Sequence, residues 1–471
     1  MQRIIKPLIC FGLPLVILAL PLSSFNIDGL TLVEQRVIAI FCMAALCWVM
    51  EPIPAYATSL LIIVFMLIMI SDKGLLYFTG TPDASPGLLV PFQDIMAVFA
   101  SPIIILFLGG FFLALAATKY RLDQNLARVL LRPFGTKPAM VLLGIMFITA
   151  VFSMFMSNTA TTAMMLSILV PVLTMFETSD RGKIAFALSV PVAANIGGRA
   201  TPIGTPPNAI AMKYLTGEDY ISFGEWMAFA LPVVIILLLI SWGLLLFFFP
   251  INTKVLKLDI KGTFLKNRRA YLVYITFGLT LLLWLTDFIH GMNSYVVAMI
   301  PVAVFSATSI ITKEDLKTLS WDVLWLIAGG IALGLALERT GLAQKIVSSI
   351  PFDDFSPISV IVLTSVLSLV MANFMSHTAT ANLLLPIVAA LGTSMASLQP
   401  LGGGQMFIIT VTFSCSLAMV LPISTPPNAL AYGLGIMKTK DMAKIGVLVG
   451  IIGLLFTYLM VYVLNVINFF S

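Results

Sequence analysis

The chain has 471 residues, 60% hydrophobic and 10% charged, with a formal net charge of +5. Apolar runs long enough to span a bilayer recur from end to end, which excludes a water-soluble domain and indicates an all-α polytopic membrane protein. The positive balance does not point to a nucleic-acid partner, because Lys and Arg sit in short loops beside apolar runs, where they set orientation in the lipid bilayer.

In chain order, Met1 to Leu22 joins Arg3 and Lys6 to an apolar run with no small-residue cleavage pattern, and reads as a retained first helix near 6–22. Further spans are predicted near 33–50, 54–71, 95–117, 227–249, 271–288, 296–312, 322–337 and 444–468. Cys10, Cys42, Cys47 and Cys415 lie inside apolar runs as small hydrophobes, without metal or redox spacing. Four stretches do not read as single spans. Residues 139–176 and 357–398 are interrupted midway by FMSNTATTAMM (155–165) and FMSHTATANLL (374–384), while 184–213 and 405–437 are broken by Gly and Pro.

Two re-entrant hairpins and two broken single crossings give eleven transmembrane helices with a cytoplasmic N-terminus and an extracellular or periplasmic C-terminus. Lys and Arg within 1–6, 119–137, 181–183, 254–269, 313–317 and 438–444 then lie inside. Of 26 in all, this leaves Arg36, Lys73, Lys213, Arg339 and Lys345 outside and Arg199 within a span, as the positive-inside rule requires. Compact loops suit the plasma (inner) membrane of a bacterium.

Three blocks recur with an offset of about 220 residues: LFLGGFFLALA (106–116) with LIAGGIALGLA (326–336), the two polar phrases, and PIGTPPNAIA (202–211) with PISTPPNALA (422–431). One hairpin opens inward and the other outward, so the repeat is inverted, the architecture of secondary transporters with a midplane substrate site. The implied organisation is N-terminal scaffold helices at 1–93, repeat 1 at 94–250, a basic cytoplasmic loop at 251–270, linking helices at 271–320 and repeat 2 at 321–471.

Each polar tip offers a hydroxyl, an amide or imidazole, and a second hydroxyl: Ser157, Asn158, Thr159 and Ser376, His377, Thr378. Such groups hold a carboxylate or coordinate a small cation, and helices restarting behind them aim backbone N–H groups at the same place. Thr205-Pro206 and Thr425-Pro426 open the TPPN blocks, where paired prolines break a helix and leave carbonyls free. Two symmetric tips suit a ligand with two carboxylates.

SNTATTA, SHTATA, both TPPN blocks, LFLGG and EPIP (Glu51 to Pro54) resemble the divalent anion/sodium symporter family across essentially the whole chain. The resemblance implies a homodimer with an elevator mechanism. It also implies carboxylate binding at Asn158, Thr159, His377 and Thr378 near Pro206 and Pro426. One sodium site is implied at Ser153, Ser157, Asn158 and Gly204, and a second around positions 372, 375, 377 and Ser424. Two residues depart from the family pattern, and both are basic: His377 replaces Asn, and Arg199 replaces a small or hydroxyl residue. Within the repeat, Ser153 and Asn158 correspond to Ala372 and His377, so the second cation site has lost two oxygen ligands.

The expectation is therefore a sodium-independent dicarboxylate exchanger for succinate, malate, fumarate or 2-oxoglutarate, with Arg199 and His377 as fixed charges and no resident cofactor. A sodium-coupled dicarboxylate or citrate symporter is the alternative, and sulfate is a further substrate class. The plainer readings are a neutral His377 ring bonded to backbone and an Arg199 that snorkels to the interface. An anion channel shares re-entrant loops with this arrangement. A membrane enzyme is disfavoured, since HExxH, GxSxG, paired intramembrane carboxylates and a Gly-rich nucleotide loop are all missing.

Overall fold

A computed structural model describes residues 2–470 except 26, 76–77, 79–86, 178, 257–262 and 350–354. Part of the basic loop expected at 251–270 therefore lies outside the described residues. The principal helices are α1 Gln2–Ala19, α2 Leu32–Met50, α3 Ala55–Met69, α4 Pro102–Lys119, α5 Leu122–Leu131, α6 Pro138–Ser153, α7 Asn158–Leu173, α8 Gly182–Gly197 and α9 Pro206–Met212. They continue as α10 Phe223–Phe248, α11 Arg268–Leu285, α12 Ser294–Ala307, α13 Trp321–Arg339, α14 Pro357–Phe374, α15 His377–Ser394, α16 Gly403–Cys415, α17 Pro426–Tyr432 and α18 Thr439–Val466. Seven helical segments among the described residues are long and apolar enough to cross a membrane, and others are shorter apolar helices.

Local chemistry sets the boundaries. Thr31 with Glu34 and Ser222 with Glu225 form capping boxes that start α2 and α10. Proline occupies the first positions of α4, α6, α9, α14 and α17, where its missing N–H has no intrahelical partner to lose. The span expected at 95–117 is divided: a short helix, Phe92–Ala97, ends before Ser101, whose extended backbone precedes Pro102.

Apolar side chains gather into three clusters. The first joins α2, α3, α4, α11, α12 and α13. The second joins α6, α7, α8, much of α10 and α18, and the third joins α9, α15 and α16 with parts of α10 and α14. The first helix of each repeat, α4 or α13, thus belongs with the N-terminal helices. Their paired glycines make that possible: a Cβ on Gly109 would lie 2.4 Å from the Ala298 carbonyl oxygen, and one on Gly329 would lie 2.3 Å from Ser59 Cβ.

The two repeats exchange their broken helices. α9, from repeat 1, packs on α15 and α16 of repeat 2, while α17, from repeat 2, packs on α7 and α8 of repeat 1. Asn195 joins the halves, its Nδ2 donating to Thr425 Oγ1 at 3.2 Å and Asn428 Oδ1 at 3.3 Å. This reciprocal packing places both polar tips beside both unwound segments.

Candidate substrate and cation site

At the first tip, α6 ends at Ser153 and α7 begins at Asn158. Ser157 is the N-cap, its Oγ accepting from the Ala160 N–H at 3.2 Å, so its hydroxyl already serves the helix it starts. Asn158 lies among Ser153 Oγ, the Ala194 carbonyl and the Gly204 carbonyl. With its nitrogen turned to them it donates at 2.6, 3.2 and 3.1 Å respectively. With its oxygen turned to them, four oxygens converge, which is the donor set of a small cation. Ala194 was not among the expected ligands, because a backbone carbonyl leaves no mark in the sequence.

Glycine makes the Asn158 pocket. A Cβ on Gly198 would lie 2.4 Å from Asn158 Oδ1 and 2.9 Å from the Gly204 oxygen, and one on Gly204 would lie 2.4 Å from the Gly198 oxygen.

The second tip is built alike but filled differently. Ser376 caps α15 by accepting from the Ala379 N–H at 3.1 Å. His377, one residue on, sets its Nε2 against the Ala418 carbonyl oxygen at 2.5 Å, which is the backbone bond of the plainer reading. Nearby oxygens satisfy one another: Ser424 Oγ donates to the Asn373 carbonyl at 2.9 Å, and Asn373 Oδ1 accepts from the Val420 N–H at 2.9 Å. An imidazole stands where the first tip carries an amide, and Ala372 stands where it carries a hydroxyl.

The TPPN blocks restart the broken helices. Thr205 and Thr425 have extended backbones, with φ of −146° and −144°, and Pro206 and Pro426 follow as the first helical residues. The asparagine of each block does work that the sequence analysis did not assign to it. Asn208 Nδ2 donates to the carbonyls of Gly198, Arg199 and Thr201 at 3.2, 3.3 and 2.8 Å. Asn428 Nδ2 bonds the Met419 and Leu421 carbonyls, each at 3.0 Å. These amides hold the unwound backbone that would otherwise lose its partners inside the membrane. Their recurrence at one position in both copies was the available signal.

Arg199 lies in the turn between α8 and the first TPPN block and is 0% exposed, which overturns the snorkelling alternative. Its guanidinium carbon sits 4.6 Å from the Phe413 ring centroid, and Nη2 donates to Thr457 Oγ1 at 3.2 Å. Among the described residues Nε and Nη1 have no hydrogen-bond partner and no ion pair includes this side chain. The guanidinium hydrogen-bonds neither tip among the described residues. Phe413 and Thr457, more than 200 positions away in sequence, were not legible as its partners.

The two halves of the candidate site differ in exposure. Thr159 and Pro426 are exposed, while Thr378 is buried and Thr205 nearly fully so. Met375, Ala379 and Ala209 pack into the first apolar cluster, sealing the second tip and α9 against it.

The family model described as the sodium:sulfate symporter transmembrane region matches residues 1–467. An uncharacterized transporter of Schizosaccharomyces pombe is 32% identical over 92% of the chain, which spans 50% of that relative's length. The sodium-dependent dicarboxylate transporter SdcS of Staphylococcus saprophyticus is 30% identical, covering 95% of this chain and 89% of the relative. The sodium-dependent high-affinity dicarboxylate transporter 3 of Caenorhabditis elegans is 28% identical over 91% and 82% of the two chains. The solved YdaH transporter of Alcanivorax borkumensis shares the fold, with a TM-score of 0.55 at 15% identity over 80% of this chain and 88% of that one. The chain belongs to the sodium:sulfate symporter family, as its repeated motifs suggested, and is a multi-pass membrane transporter rather than an enzyme.

Proposed function

We propose that the protein is a secondary transporter of small dicarboxylates that exchanges one dianion for another without bound sodium. The named relatives from Staphylococcus saprophyticus and Caenorhabditis elegans carry dicarboxylates, which supports the substrate class. The observation that carries exchange is the Arg199 guanidinium, fully buried with no carboxylate partner among the described residues. A buried unpaired cation costs several kcal/mol, about 3 even on insertion scales, and a dianion in the adjacent site offsets that cost.

In this reading Asn158, Thr159, Thr378 and the N–H groups opening α7 and α15 receive the two carboxylates. Ser157 and Ser376 hold those helix ends in place, and Thr205-Pro206 and Thr425-Pro426 form the walls. His377 fills the second cation position with a ring bonded to Ala418, and Arg199 supplies positive charge from behind. A sodium ion leaves with its substrate, but Arg199 cannot. The empty carrier would have to move an uncompensated charge through its occluded state, so reorientation is efficient only when loaded. Eleven spans, two re-entrant hairpins, a cytoplasmic N-terminus, an elevator motion of the hairpins against α2 to α4 and α11 to α13, and a homodimer complete the proposal.

A second reading, sodium-coupled symport, is favoured by the convergence of Ser153, Asn158, Ala194 and Gly204 oxygens on one point and by the sodium-dependent relatives. Purified protein in liposomes separates the two. Uptake of labelled succinate without sodium on either side is expected to need internal dicarboxylate. Uptake that requires external sodium and ignores internal dicarboxylate would establish the symporter instead.

A further inference from the structure

The chain passes twice, on one face of the molecule, between the first apolar cluster and the other two. One passage runs from α4 through α5 to α6, and the other from α10 to α11. The two passages are bound to each other: the Leu256 N–H donates to the Thr136 carbonyl at 2.9 Å, and Asn125 Nδ2 donates to the Thr263 carbonyl at 3.2 Å. Tyr274 adds a link, its hydroxyl donating to the Tyr120 carbonyl at 3.3 Å.

Both passages carry cations. On the first, Arg121, Arg132 and Lys137 are exposed, while Asp123, its only acid, is buried. On the second, Lys254, Lys266, Arg268 and Arg269 are exposed, and its described residues include no acid. None of these seven side chains forms an ion pair among the described residues. Large apolar side chains stand exposed on the same segments: Val129 at 45%, Val255 at 54%, Phe264 at 38% and Tyr271 at 51%.

We infer that this joined surface binds the headgroups of anionic phospholipids at both passages. Positive-inside orientation accounts for the sign of the charge, but not for its gathering, interleaved with exposed apolar groups and without an ion pair among the described residues, on two segments tied together by hydrogen bonds. Cations alternating with apolar side chains at a membrane boundary match the surface of an anionic leaflet, where each cation near the surface contributes about 1 kcal/mol, roughly fivefold in binding. Lipid charge would act on two of the connections between the apolar units, and the inference holds whichever ion couples transport.

The test is amide hydrogen exchange on the full chain in lipid nanodiscs of neutral phosphatidylcholine, with or without about a third phosphatidylglycerol. The expected result is slower exchange over 120–137 and 263–269 when the anionic lipid is present, reversed by salt at about 1 M, where screening falls to about 3 Å. In parallel, spin-labelled phosphatidylglycerol should associate at least fivefold more strongly than spin-labelled phosphatidylcholine. That preference should drop severalfold in the triple variant Arg121→Gln, Arg132→Gln, Lys137→Gln, and separately in Lys266→Gln, Arg268→Gln, Arg269→Gln. Equal exchange in both lipids, protection confined to other segments, or a preference that salt and both variants leave untouched would overturn the inference. The exchange measurement needs no variant, so misfolding of either triple would not remove the test.

Discussion

Among single residues, Arg199 carries the most consequence. Its setting, a cation over the Phe413 ring with one bond to Thr457, supplies part of what burial removes, since desolvated cation–π contacts contribute about 2 kcal/mol. Arg199→Gln keeps a donor for Thr457 and removes the charge. Dicarboxylate affinity is expected to fall by about 1–3 kcal/mol, the worth of a charge-assisted interaction, while the melting temperature holds or rises. Equilibrium binding and thermal melting on one preparation check both. His377 gives the complementary experiment. Converting the second tip toward the first with Ala372→Ser and His377→Asn gives it the two side-chain oxygens that the first tip carries at Ser153 and Asn158. Sodium is then expected to stimulate binding severalfold in the double variant, which a sodium titration would show.

Among the elements, two close approaches hold the site. Gly198 and Gly204 let the unwound segment fold against the first tip, and a methyl group at 198 would lie 2.4 Å from Asn158 Oδ1. Gly198→Ala is expected to reduce transport at least about tenfold by misplacing Asn158, with the protein still inserted and helical; liposome uptake with circular dichroism tests this. A second junction ties α8 to the segment after α10. Asp180, 4% exposed, accepts from the Gly182 N–H at 2.8 Å, the Thr253 N–H at 3.0 Å, Thr253 Oγ1 at 2.7 Å and the Asn252 N–H at 3.2 Å. Burial alone would raise this carboxyl, but the bonds from Thr253, Gly182 and Asn252 outweigh it and hold it below the ordinary carboxylate value. A depressed folded-state value means that the stabilisation is complete above about pH 4 and fades as pH falls through the folded value. Asp180→Asn should lower stability by about 1–3 kcal/mol at neutral pH and flatten the loss of stability below pH 4. Melting curves of both proteins between pH 3 and 7 would show it.

At the scale of the whole molecule, hydropathy made most helices legible, with ends displaced by a few residues where caps and prolines set them. The breaks were legible too, because Ser-Asn-Thr, Ser-His-Thr and Thr-Pro-Pro-Asn interrupt apolar runs where a continuous helix fails. What the sequence could not display is the exchange of α9 and α17 between repeats. That packing joins residues more than 150 positions apart, and such contacts leave no local period. The same reason hid Asn195 and the Phe413 and Thr457 contacts of Arg199. Each tip that the motifs picked out lies against the unwound segment of its own repeat, Asn158 beside Gly204 and His377 beside Ala418, with the second tip sealed against the first apolar cluster and Thr159 and Pro426 exposed. An asymmetric site of this kind suits alternating access, in which each half is sealed in turn.

The central claim is that charge fixed in the chain replaces charge carried by sodium, and it is tested most directly by succinate affinity of the purified protein as sodium replaces choline at constant ionic strength. The account expects one affinity from zero to about 0.1 M sodium, a range in which screening is held equal. An affinity that strengthens tenfold or more with sodium would contradict it and assign the oxygens around Asn158 to a coupled cation.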